Sequence, residues 1–146
     1  SSIHERDEII DMRGRFGDFE GDTVYGSVGK GYLITAVDRR SRFLVAAVAK
    51  DKTIESTNAA FLEAFSRLEK IKPLTLTLDN GTEFLGFKDL EKKANIKVFF
   101  ADPHAPWQRG SNENINGLLR FFFPKGTNFS NLPVNQLVKM IPFILV

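Results

Sequence analysis

The sequence predicts an α/β domain built on a mixed five-stranded sheet, its first three strands antiparallel and its helices on both faces. Three strand-like stretches with short links between them imply an antiparallel meander. A helix-period segment then runs into a fourth strand, which favours a parallel return through a right-handed crossover. A second helix–strand unit and a further helix complete the order βββαβαβα. At 146 residues, 42% of them hydrophobic, the chain suffices for one domain with its own core.

Residues 1–15 are charged and lack a clean period, so they read as a linker or peripheral arm ahead of a core spanning 16–146. Phe16 to Tyr25 forms the first strand, rich in aromatic and β-branched residues. Its alternation sets Asp18, Glu20 and Asp22 on one face. Three acids are expensive to bury together, so two are expected to be solvated or at the strand start. The apolar run Tyr32–Val37 is a buried second strand. Asp38-Arg39-Arg40-Ser41-Arg42 makes a charged hairpin link to a third strand, Phe43 to Ala49.

From Thr53 the period becomes helical: Ile54, Phe61, Ala64, Phe65 and Leu68 share a face, and Pro73 ends the pattern. Leu74–Leu78 alternates strictly as a fourth strand and stops at the turn sequence Asp79-Asn80-Gly81. A short helix around Phe87–Ala94 and a fifth strand, Ile96 to Phe100, follow. The loop from Asp102 to Gly110 carries two prolines and a glycine, and a helix begins after Ser111. In that helix Ile115, Leu118, Leu119 and Phe122 make the apolar face, leaving Glu113, Asn116 and Arg120 on the other side. A turn around Pro124-Lys125-Gly126 and an apolar helix from Val134 to about Ile141 close the chain.

Composition excludes several classes. No run of eighteen apolar residues is present, so no transmembrane helix and no membrane partner is expected, and the polar start is no signal peptide. The absence of cysteine removes disulfides and thiolate metal sites and fits a reducing compartment. Net charge is +2, which permits a nucleic-acid partner without demanding one. His4 and His104 alone cannot make a zinc site. Gly29-Lys30-Gly31 lacks the spacing of a phosphate-binding P-loop and precedes a strand rather than a helix.

The βββαβαβα order is the connectivity of ribonuclease H-like domains. In that topology Asp22 lies on the central strand, Asp79 ends the adjacent fourth strand, and Glu113 starts a helix that packs across the same edge. Glu113 also has a purely structural reading, because an acid in the first turn complements the helix dipole by about 0.3–1 kcal/mol.

Three segments resemble the acidic motifs of insertion-sequence-30 family transposases, which are retroviral-integrase-like. They are Phe16-Gly17-Asp18-Phe19-Glu20-Gly21-Asp22-Thr23, Leu78-Asp79-Asn80-Gly81-Thr82-Glu83-Phe84, and Asp102-Pro103-His104-Ala105-Pro106-Trp107-Gln108-Arg109-Gly110 running on through Glu113 to Gly117. Phe123-Pro124-Lys125-Gly126-Thr127 is similar to the usual continuation. Thirty-three residues separate Asp79 from Glu113, the spacing of that family. The family's end-binding helix-turn-helix and basic C-terminal segment have no counterpart here, so the chain is read as an excised or truncated catalytic core.

The resemblance implies a catalytic triad of Asp22, Asp79 and Glu113 holding two Mg²⁺ or Mn²⁺ ions. Asp22 would be shared by both ions, with Asp79 completing one site and Glu113 the other. Phosphodiester cleavage gives an independent reason for such a cluster. Two hard cations about 3.5–4 Å apart activate the attacking oxygen and stabilise the leaving one. The implied reaction is cleavage at transposon ends and transfer of the freed 3′-hydroxyl into target DNA. Double-stranded DNA is the expected partner, with a homo-oligomer in the full-length protein. The expected location is the bacterial cytoplasm, at the nucleoid.

Arg109, Arg120 and Lys125 are candidate phosphate contacts, against ordinary solvated charge. Trp107 is a candidate for stacking on an unpaired base, against a half-buried core aromatic. Asn116 orients DNA phosphate or is simply an exposed helix residue. The competing function class is a non-catalytic remnant serving only DNA binding or dimerisation.

Overall fold

The computed structural model describes residues 2–25, 29, 31–79, 86–102, 119–120 and 123–131. Its strands are β1 (Asp18–Tyr25), β2 (Tyr32–Asp38), β3 (Leu44–Ala49), β4 (Thr75–Leu78) and β5 (Lys97–Phe100). They form one sheet in the order β3-β2-β1-β4-β5. The pairs β1–β2 and β2–β3 are antiparallel, whereas β1–β4 and β4–β5 are parallel. This is the mixed sheet expected, with β1 in the middle.

Helix α1 (Glu8–Asp11) precedes the sheet, α2 (Ile54–Ser66) joins β3 to β4, and α3 (Phe87–Ala94) joins β4 to β5. Thr53 starts α2, its hydroxyl accepting a hydrogen bond from the Ser56 amide at 3.2 Å. Asn95 ends α3 at φ 53°, a left-handed position that asparagine tolerates.

Strand alternation then decides the two faces. Phe19, Ile34, Ala36, Leu76 and Leu78 pack under Phe61 and Phe65 of α2 and Leu90 of α3. The rings of Phe19 and Phe65 meet edge-on, 5.3 Å apart. On the other face Leu33, Val37, Leu44 and Ala46 pack with Leu119, Phe123 and Phe129. Burial on both sides explains why β2 reads as a nearly continuous apolar run. Gly21 lets α2 approach β1 closely: a Cβ there would stand 2.6 Å from Leu78 Cδ2 and 3.0 Å from the Phe61 ring.

One expectation needs correction. Asp18 does stand at the strand start, but neither it nor Glu20 is solvated; both residues are fully buried. Each has an arginine partner, Arg15 for Asp18 and Arg39 for Glu20. Pairing offsets part of the penalty that made joint burial look expensive. The charged hairpin is likewise partly internal. Asp38 is buried and accepts from the amides of Gly17 (2.7 Å) and Ser41 (2.6 Å).

The segment read as a linker or arm lies against the sheet. Ser2 bridges to Phe100, and Ile3 and Ile10 are buried. Arg6 donates to Thr77 Oγ1 at 3.3 Å and pairs with Asp11. The segment showed no period because it contains only two short helical turns, Ile3–Glu5 and Glu8–Asp11.

Near the other end, Leu119 and Arg120 are helical, and the Thr127 amide closes the expected turn by donating a hydrogen bond to the Pro124 carbonyl at 3.1 Å. A 3-10 turn, Phe129–Asn131, was not anticipated. The start of the helix after Ser111 and the last helix lie outside the described residues. Among the described residues no helix is long and apolar enough to cross a membrane.

Candidate active site

The site begins with one polar stripe across two strands. Because Phe19 and Gly21 face α2, alternation turns Asp18, Glu20 and Asp22 to the opposite face of β1. On β4, Leu76 and Leu78 enter the α2 core, so Thr75 and Thr77 share the side of the acids. The parallel register pairs Asp18 with Thr75 and Glu20 with Thr77. Two residues further along both chains stand Asp22 and Asp79.

The inner rungs of the stripe are closed. Asp18 accepts from Thr75 Oγ1 at 2.8 Å and from Arg15 Nε at 2.9 Å. That hydrogen bond, with the charge of Asp18, holds the Arg15 guanidinium above its ordinary value. Glu20 accepts from Arg39, whose Nε also donates to the Ile10 carbonyl at 3.1 Å. Burial pulls the Arg39 guanidinium below its ordinary value, and the charge of Glu20 opposes that pull.

The outer rung is open. Asp22 is half-buried and Asp79 exposed, and both line one cleft of about 450 Å³, Asp22 from within β1 and Asp79 from just past the end of β4. Asp22 Oδ1 accepts the Thr23 amide at 2.9 Å, which orients its side chain. The cleft floor is apolar, with Phe61, Leu78, Phe87 and Phe100. Its walls carry Lys52, Thr53 and a hydroxyl pair, Tyr32 Oη and Thr57 Oγ1, 2.6 Å apart.

Of the predicted site residues, the structure therefore brings Asp22 and Asp79 to one cleft. Glu113, Arg109, Trp107 and Asn116 lie outside the described residues. Arg120 is half-buried and donates to the Phe123 carbonyl at 3.4 Å, while Lys125 is exposed in its turn. Among the described residues no cluster of three or more histidines or acids forms. Two carboxylates beside an open cleft are hard oxygen donors of the kind that suits Mg²⁺ or Mn²⁺, so the donor chemistry fits such ions. Lys52, Tyr32 and Thr57 escaped the sequence reading, because a loop lysine and a strand tyrosine carry no local signal of a shared cleft.

Comparison with known proteins bears on the family and the fold. Residues 15–106 match the family described as Integrase core domain. The chain is 39% identical over 142 residues to the transposase for insertion sequence element IS4351 of Bacteroides fragilis, covering 95% of this chain and 42% of that protein. It is 38% identical over 135 residues to transposase InsI for insertion sequence element IS30A of Escherichia coli K12, covering 92% and 35%. A probable transposase for the insertion-like sequence element IS1161 of Streptococcus salivarius is 42% identical over 138 residues, covering 93% and 39%. The chain thus spans about two fifths of the length of these relatives.

A chain in the cryoEM structure of the simian T-cell lymphotropic virus intasome in complex with PP2A regulatory subunit B56 gamma shares the fold. Its TM-score is 0.62 at 22% identity, covering 88% of this chain and 46% of that one. The mixed sheet with β1 at its centre is the expected ribonuclease H-like fold. With the family match spanning well over half its residues, the chain belongs to the integrase core domain family.

Proposed function

We propose that this domain is the catalytic core of a DNA transposase, cutting phosphodiester bonds at transposon ends and joining the 3′-hydroxyl to target DNA. The observation that carries the reading is that Asp22 of β1 and Asp79, just past the end of the adjacent parallel β4, line one cleft. Adjacent strands run ~4.8 Å apart, and the proposal is that one cation reaches both carboxylates. The similarity to three transposases supports the same reading. Residues 16–146 make the core, and residues 1–15 are an arm docked on it.

Asp22, Asp79 and Glu113 would hold two Mg²⁺ or Mn²⁺ ions. When bound, these ions supply an activated attacking oxygen and a stabilised leaving oxygen. The chain's own part is to keep the donors charged and aimed. Thr23 holds the Asp22 carboxylate through its amide. The buried Glu20–Arg39 pair, one rung inward, fixes the strand that presents Asp22. Arg109, Arg120, Lys125, Trp107 and Asn116 are the proposed DNA contacts. Double-stranded DNA is the proposed partner, the assembled protein a homo-oligomer, and the place of action the bacterial nucleoid.

Mn²⁺-dependent nicking and strand transfer on end-like DNA test the proposal, with wild type beside Glu113→Gln. Wild type is expected to nick, and the variant to lose on the order of a hundredfold or more. Equal activity in the two proteins would reject the role of Glu113. An inert wild type that still binds DNA would favour a non-catalytic remnant.

A further inference from the structure

Lys52 lies in the short connection between β3 and α2 and lines the same cleft as Asp22 and Asp79. Among the described residues of that cleft it is the one cation. Its backbone is pinned from the C-terminal side. Asp51 accepts from the Thr53 amide at 2.9 Å and from the Thr53 hydroxyl at 2.6 Å. Thr53 in turn accepts from Ser56 at the first turn of α2. Those bonds hold the Asp51 carboxyl down to about 2 and fix its side chain in the turn.

A cleft walled by two carboxylates repels a phosphodiester unless positive charge stands nearby. Metal ions at the aspartates would neutralise the reacting group, but they do nothing for the next phosphates along the strand. A lysine on the wall of the same cleft suits that task, since its ammonium is a compact, well-hydrated point charge on a long stem.

We infer that Lys52 binds a DNA phosphate in this cleft, holding the strand whose phosphodiester lies at Asp22 and Asp79. The inference rests on the proposed reading of the cleft as a phosphoryl-transfer site. The contact positions the strand and reads no bases.

The test uses wild type, Lys52→Ala, Lys52→Arg, Lys50→Ala and Asp79→Asn. Affinity for a fluorescein-labelled duplex is measured by anisotropy across a NaCl series, and Mn²⁺-dependent nicking is followed as kcat and KM. Lys52→Ala is expected to weaken binding about tenfold and make the logarithmic salt slope shallower by about one. Its KM rises while kcat holds, and Mn²⁺ still raises its melting temperature. Lys52→Arg restores most of the loss. Lys50→Ala, altering an exposed lysine outside the cleft lining, leaves KM unchanged.

If Lys52→Ala matches wild type in slope and KM while Asp79→Asn abolishes nicking, the role of Lys52 is overturned and the reading of the cleft stands. Equal effects of Lys50→Ala and Lys52→Ala also overturn it, since general surface charge then suffices. Should Asp79→Asn nick as well as wild type, both inferences fall together.

Discussion

The inner and outer rungs of the β1–β4 stripe present the same chemistry in opposite settings. Asp18 and Glu20 are fully buried and closed by arginines, whereas Asp22, on the same strand face, opens with Asp79 into a cleft. The inner carboxylates are closed in arginine pairs inside the fold, whereas the outer ones line a cleft that solvent and ligands can enter.

Breaking an inner rung should cost the most. Arg39→Ala leaves Glu20 buried without its guanidinium partner, and urea denaturation should register a loss of about 3–5 kcal/mol. Asp18→Asn weakens the bonds to Arg15 and Thr75 but keeps the shape, and should cost about 1–3 kcal/mol in the same assay. The outer rung should behave in the opposite way. Asp22→Asn should change metal-free stability by no more than about 0.5 kcal/mol, yet reduce nicking by on the order of a hundredfold or more. A large stability loss there would make Asp22 one more structural acid.

The smallest effect sharpens the contrast through pH. Asp51 is exposed, and its folded carboxyl titrates near 2, below the ordinary 3.8, because Thr53 and Ser56 bond the charged form. A lowered folded value means that stabilisation is complete above about 4 and fades as pH falls towards about 2. Asp51→Ala should therefore melt below wild type at neutral pH, with the gap closing across that window.

Much of the fold was legible because its signals are local. The alternation of Leu74–Leu78 and the helical period after Thr53 each lie in one short window. That Asp22 and Asp79 line one cleft followed from topology, since β4 runs parallel beside β1. The closed rungs were not legible. Arg39 lies nineteen residues from Glu20, in a hairpin link whose pattern names no partner for its charges. Nor does the sequence show that Arg6 reaches Thr77 or that Ile3 and Ile10 anchor the arm. Lys52 belongs to the same class, a residue brought to the cleft by tertiary structure alone.

Manganese binding tests the central claim most directly, by electron paramagnetic resonance and calorimetry on wild type, Asp22→Asn, Asp79→Asn and Glu20→Gln. Wild type should bind Mn²⁺ with a matching rise in melting temperature, and each outer-rung variant should lose most of it. Glu20→Gln should keep the affinity in whatever fraction remains folded. A wild type that binds no Mn²⁺ at millimolar concentration, or an Asp79→Asn variant that binds it equally well, would contradict the account.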